Sequence, residues 1–131
     1  MPIVLNPPNV AAPSSSYSHG ILIAPNAKRL VISGQIGVRP DGSIAEGMKA
    51  QTEQAIDNLF NIVAAAGMKP TDIVKIVTYV TKADNIAAMR EVRSAKFGTH
   101  APTSTLLIIA GLANPAFLVE IEAEAVQEVT G

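Results

Sequence analysis

Two periods of hydrophobic patterning run through this chain, and each predicts its own kind of element. From Phe117 to Val126 the period is two: Glu120, Glu122 and Glu124 fall on one side, Val119, Ile121, Ala123 and Ala125 on the other. That alternation predicts a pleated strand with three carboxylates on one face. The preceding stretch, Thr105 to Leu112, is almost uninterrupted apolar. Its alternate sets Leu106/Ile108/Ala110 and Leu107/Ile109 are both greasy, so a strand buried on both faces is expected. Met48 to Ala66 switches to the helical period, with Ile56, Leu59, Phe60 and Val63 on one side and Glu53, Asp57, Asn58 and Asn61 on the other. Gly67 supplies a left-handed end and Pro70 prevents continuation. Ile73 to Thr81 is rich in β-branched residues and reads as a strand. Asp84 is placed to cap a second helix, Asn85 to Phe97, whose apolar side holds Ile86, Met89, Val92 and Phe97.

Nearer the N-terminus, Ile3 to Leu5 can form a short edge strand that Pro7-Pro8 must stop, because proline lacks the ladder donor. Tyr17 to Ala24 and Lys28 to Gly37 read as an antiparallel pair around Pro25-Asn26-Ala27. Pro40-Asp41-Gly42 is a turn. The order ββ(β)αβαββ, with two amphipathic helices that need an apolar sheet face, implies an α+β two-layer sandwich.

Composition sharpens this picture in one respect. The 131 residues suit a single domain, 1–131, yet 48% are hydrophobic and only 16% charged. Helices can cover one face of the Thr105–Leu112 strand; a second subunit is the simplest cover for the other. No apolar run approaches the roughly 20 residues of a bilayer span, so no membrane contact is expected. A net charge of −1 favours neither nucleic acid nor an anionic surface. The chain has no cysteine, which excludes disulfides and thiolate chemistry. No export signal is seen at the N-terminus, and a cytoplasmic location is the expectation.

Candidate chemistry is sparse. The acidic face could contain a general base, although a solvated strand face is the plainer account. Carboxylates two apart on one strand rarely converge on a metal without histidine, and only His19 and His100 exist, so no metal is expected. Tyr17-Ser18-His19-Gly20 gathers a phenol, a hydroxyl and an imidazole at the mouth of a strand, where structural hydrogen bonding is the simpler role. Gly34, inside the apolar Ser33-Gly34-Gln35 stretch, marks a bulge or a close backbone approach. Arg90, Arg93 and Lys96 form a basic stripe on the second helix, where an anion could dock, although a solvated polar face is the plainer account. Pro2 would be a low-pKa amine if Met1 were removed, but Pro7-Pro8 breaks the strand that tautomerase-type enzymes require.

Several spaced segments together resemble one family, the RidA/YjgF or L-PSP proteins. They are Tyr17 with Gly20, Ile32-Ser33-Gly34-Gln35-Ile36, Gln51 to Gly67 followed by Asp72-Ile73-Val74-Lys75, Pro102, and Val119-Glu120-Ile121-Glu122-Ala123. The resemblance implies a chorismate-mutase-like fold, a homotrimer whose sheets form a central barrel, and small-molecule clefts between subunits. It implies hydrolysis of reactive imines or enamines without a cofactor, with Glu120 positioning water, Tyr17 lining the cleft and Gly34 offering backbone. The family carries an arginine shortly after the proline to clamp a substrate carboxylate. Here Pro102-Thr103-Ser104-Thr105 places Ser104 at that position, and Leu106 stands where many members have cysteine. A serine cannot supply the charge, so Ser104 and Thr105 are expected to select a substrate other than simple 2-imino acids, with Arg90 a possible substitute anchor. A non-catalytic trimer that binds a metabolite or a protein is the alternative.

Overall fold

In the computed structural model, which describes residues 2–129, six strands and two helices follow the order β1 (Ile3–Leu5), β2 (Gly20–Leu22), β3 (Lys28–Ile36), α1 (Met48–Ala65), β4 (Ile73–Val80), α2 (Ile86–Phe97), β5 (Thr103–Ile108) and β6 (Val119–Gln127). Four strands form a mixed sheet in the order β3-β6-β4-β5. β6 is antiparallel to both β3 and β4, whereas β4 and β5 are parallel and joined through α2. Both helices lie on one face. The architecture is therefore the α+β two-layer sandwich, a mixed sheet with two helices on one side.

The core sits between the layers. α1 contributes Ala55, Ile56, Leu59 and Val63, and the sheet answers with Ile32, Ile76, Val80, Val119, Ile121, Ala123 and Ala125, all buried. These are the alternate positions that the period-two and period-3.6 patterns set apart from the charged ones. α1 ends at a Schellman turn: the Met68 N–H bonds back to Val63 O and Gly67, at φ +73°, donates to Ala64 O. Met89 is the fully buried residue of α2, and Phe97 packs edge-on against Phe60 of α1, with ring centroids 5.3 Å apart.

Four expectations need correction. β2 does not pair with β3; it pairs with β1, Leu5 facing Gly20 and Ile3 facing Leu22. The cause is an anchor just upstream. Ser18 bridges to Thr103, its N–H bonding Pro102 O at 3.1 Å and its hydroxyl bonding Ala101 O. This ties the segment to the β5 edge, while β3 forms the opposite edge, so the hairpin cannot close. The apolar run at Thr105–Leu112 is a strand only from Thr103 to Ile108, because its partner β4 ends at Val80, whose carbonyl takes the last bond, from Ile109 N. Asp84 lies in a short 3-10 turn, Ala83–Asn85, and makes no side-chain cap to α2.

The basic stripe on α2 is not a solvated face either. Arg93 is buried, and Lys96 reaches α1 to pair with Asp57 at 2.7 Å and Glu53 at 3.8 Å. A helix of period 3.6 lying on a second helix turns part of its polar side inward, which sequence spacing alone does not show.

Candidate functional site

The open face of the sheet, away from the helices, is set by the pairing register. Glu120 stands opposite Tyr79 and Ile36, and Glu122 opposite Val77; Glu124 stands opposite Val31 and Lys75. The three carboxylates thus share one face, and their neighbours on it are Val31, Lys75, Val77 and Tyr79. Two of the three are engaged. Glu124 accepts a bond at 2.9 Å from Arg29, which is also an ion pair, and Glu122 accepts a short bond from the Tyr79 hydroxyl. That bond first, then partial burial and the charges of Glu122 and Glu120, hold the Tyr79 phenol above its ordinary pKa of 10.0. The Glu120 carboxylate makes no hydrogen bond or ion pair with any described residue.

Glu120 is held by shape instead. Between the pairs Ile32–Ala123 and Gln35–Ile121 the register slips, so that Ser33 and Gly34 together oppose one residue of β6. The Glu120 side chain lies directly over Gly34, and a methyl group built there would overlap its carboxyl oxygen. Any larger residue at 34 would displace the carboxyl. The bulge and the close approach are therefore both present, the second explaining why the residue is glycine. Gln51, buried at the start of α1, steadies the other side of this strand. Its amide donates to Ala45 O (3.1 Å) and Ala116 O (2.9 Å) and accepts from Leu118 N (2.8 Å), two residues before Glu120.

Ser104 belongs to a different place. Its register partner on β4 is Ile76, itself opposite Ala123, so Ser104 is on the helix side of the sheet. Arg93 Nη1 of α2 donates to the Ser104 hydroxyl at 3.4 Å. Tyr17 is brought to the same edge by the Ser18 anchor; its half-buried ring meets His19 edge-on, with centroids 5.6 Å apart. His19 Nε2 is engaged with Ala11 O at 2.5 Å, and His100 Nε2 with Ile73 O at 2.7 Å, so both histidines brace loops. Thr105, next to Ser104, points the other way, onto the open face beside Val77. Arg90 is exposed on α2; it is Arg93, not Arg90, that touches Ser104.

The predicted residues thus form two groups within one chain. Tyr17 and Ser104 lie at the β5 edge, Ser104 on the helix side, and Glu120 and Gly34 near the β3 edge, Glu120 on the open side. Three residues along the strands and two strand spacings across separate Ser104 from Glu120, roughly 14 Å, with the sheet between them. The sequence placed Arg93 on a solvated stripe and gave no role to Tyr79 or to Gln51, whose burial only the fold shows. Tyr79 was findable, since Lys75, Val77 and Tyr79 alternate within the β4 strand as the acids do in β6. No group of three or more potential metal ligands clusters among the described residues, and no helix there is long and apolar enough to cross a membrane.

Fold and site together define a small two-layer α+β protein that presents a free carboxylate over a glycine bulge on one side and a serine–arginine contact on the other. Residues 8–127 match the family model described as Endoribonuclease L-PSP. A RutC family protein of Pyrococcus horikoshii is 34% identical over 122 residues, 92% of this chain and 94% of that one. The 2-iminobutanoate/2-iminopropanoate deaminase of Salmonella typhimurium is 33% identical over 119 residues, 90% and 91% of the two chains. Among solved structures, a conserved Rid-family protein of unknown function from Yersinia pestis superposes with a TM-score of 0.84 at 30% identity, covering 96% of this chain and 98% of that one. The chain belongs to the L-PSP, or RidA/YjgF, family.

Proposed function

We propose that the protein is a cofactor-independent, cytoplasmic hydrolase that removes ammonia from a small imine or enamine, in a cleft shared by two copies of a homotrimer. The observation that carries this reading is the unengaged Glu120 carboxylate standing over Gly34, while Glu122 and Glu124 are tied to Tyr79 and Arg29. A carboxylate with bare backbone beneath it and no cation beside it is free to take a proton from water. The hydroxide equivalent adds to the C=N carbon, and the nitrogen receives the proton. Collapse of the resulting carbinolamine breaks the C–N bond, releasing ammonia and leaving a carbonyl. The deaminase name of the Salmonella relative supports that reaction class.

The separation of the two residue groups supports a shared cleft. One chain cannot bring Tyr17 and Ser104 to Glu120, but the β5 edge of one copy against the open face of the next can. Val31 and Leu107, 66% and 44% exposed on that open face, would be covered in the same step. Ser104 and Thr105 carry no charge, which favours a substrate whose contacts differ from those of simple 2-imino acids. A nuclease role draws little support from a net charge of −1 and an aromatic fraction of 4%.

The test is ammonia release from freshly generated 2-iminobutanoate, 2-iminopropanoate and larger imines, compared with buffer and with Glu120→Gln. Acceleration that disappears in Glu120→Gln is expected. Rates equal to buffer for every imine would instead favour the non-catalytic binding protein, the reading that the uncharged Ser104 supports. A monomer by light scattering would remove the shared cleft.

A further inference from the structure

Charge is distributed unevenly along the open face, and Glu120 sits at its uncompensated end. Glu124, at the other end, has Arg29 at 2.9 Å and Lys75 as a register partner. Glu122 accepts the bond from the Tyr79 hydroxyl. Glu120 has Ile36 and Tyr79 beside it, neither of them basic. Lys75 and Lys82 lie four and three residues from Tyr79, about 13 and 10 Å at the rise of a strand. Arg39, three residues beyond Ile36, is folded onto Ser43 in its own turn.

The groups that the proposed cleft sets against Glu120 do not restore a positive charge. Tyr17, Ser104 and Thr105 bring hydroxyls only. Arg93 reaches the Ser104 hydroxyl from the helix side and is only 7% exposed. The space beside it, about 10 Å³, takes one water, so its charge is not offered to a ligand. The Arg90 side chain, exposed on α2, makes no hydrogen bond or ion pair with any described residue. A substrate bearing a carboxylate would thus meet a like charge and uncharged hydroxyls. A cation would meet the Glu120 carboxylate and, directly across the strand pair, the ring of Tyr79. A carboxylate beside an aromatic ring is suited to a planar organic cation.

We propose that the substrate is an iminium cation without a carboxylate, the protonated imine of a simple aldehyde or ketone. The proposal rests on the hydrolase reading of Glu120 and specifies what that carboxylate meets. Protonation also makes the C=N carbon more electrophilic, so the charge that binds the substrate prepares it for attack. The water oxygen bonds that carbon, and the water proton passes to Glu120. Glu120 returns the proton to nitrogen, and the C–N bond breaks with its electron pair going to nitrogen. The hydroxyl proton leaves with the nitrogen, so the products are a carbonyl compound and ammonium, with nothing oxidised or reduced. The reaction class that supplies such a substrate is the two-electron oxidation of a primary amine carrying no α-carboxylate.

Three ligands of one shape test this by calorimetry on the intact protein: butanamidinium, butanamide and butanoate. Butanamidinium is a stable copy of a planar iminium and is expected to bind, with nuclear magnetic resonance shifts at Glu120 and Tyr79. Butanamide is expected to bind roughly 10- to 150-fold more weakly, the range for one charge-assisted bond, and butanoate more weakly still. In Glu120→Gln the amidinium is expected to fall to the level of the amide. Butanoate binding as tightly as butanamidinium, or no amidinium binding at millimolar concentration, would overturn the proposal even if Glu120→Gln failed to fold. So would a preference for the amidinium that survives in a folded Glu120→Gln protein. Faster hydrolysis of 2-iminobutanoate than of the imine formed by oxidising butylamine would defeat the substrate class and leave the hydrolase standing. Amidinium binding at Glu120 without hydrolysis of either imine would defeat the hydrolase and leave the cation specificity of the cleft.

Discussion

The two faces of the four-stranded sheet are made by alternate residues of the same strands, and they have opposite characters. In β6 the odd-numbered residues Val119, Ile121, Ala123 and Ala125 are sealed under α1, while the even-numbered glutamates face outward. Under α1 the helix side is filled by the chain itself. The open side is not: it carries a free carboxylate, a tyrosine–glutamate bond, and exposed Val31 and Leu107. Within β6 the pleat thus separates the stabilising core from the outward carboxylates, so substitutions on its two sides should report on different properties.

The sharpest contrast is Leu59→Ala against Val31→Asp. Leu59 is fully buried, and removing most of its side chain is expected to cost about 2–5 kcal/mol in chemical denaturation. Val31→Asp should leave the circular dichroism of the chain unchanged while weakening association by more than about tenfold, as light scattering at falling concentration would read. If Val31→Asp unfolds the chain instead, the open face is part of the core and the division drawn here is wrong.

Gly34→Ala comes next and should separate activity from stability. The atoms it overlaps are the end of a flexible side chain, so the fold is expected to lose about 1 kcal/mol, the low end for over-packing. The displaced carboxyl is expected to lower kcat/KM on the order of 100-fold. Equal and small effects on both would mean that Glu120 does not act from that position.

Gln51→Leu probes the support beneath the acidic strand. It strips partners from Leu118 N, Ala45 O and Ala116 O, at about 1–3 kcal/mol for a buried group left unpaired. Thermal unfolding would measure this, and a loss of activity larger than the loss of stability would mark Gln51 as a positioning residue for Glu120.

The smallest effect belongs to Tyr79. Its phenol is held protonated by Glu122, so the folded pKa lies above the unfolded value of about 10. The stability this contributes is complete below pH 10 and is lost as pH rises through the folded pKa. Tyr79→Phe should flatten the alkaline limb of a pH–stability profile, and an unchanged limb would show that the bond to Glu122 is not formed in solution.

Local pattern carried much of this protein. The helix over Met48–Ala65, the strand β4 and the acidic face of β6 were legible because helix and strand periods depend only on which residues sit three to four, or two, places apart. The glycine of Ser33-Gly34-Gln35 announced a close approach, since a missing Cβ in an apolar strand is costly unless something occupies the space. What approaches it, the Glu120 carboxyl, depended on the pairing of two strands more than eighty residues apart.

Other features were decided only by the assembled fold. Tyr17 to Ala24 had the composition of a hairpin partner for β3, but the Ser18 bridge to Thr103 tied it to the far edge of the sheet. Arg90, Arg93 and Lys96 are indistinguishable as a stripe on a helix. The angle at which α2 lies on α1 and the sheet leaves the first in water, gives the third two carboxylates, and buries the second against Ser104 without a counter-ion. Sequence by itself determined which residues share a face, because that follows from backbone geometry within one element. Tertiary structure alone decided which faces meet, and so which of three acids is left free and which of three basic residues is buried without a counter-ion.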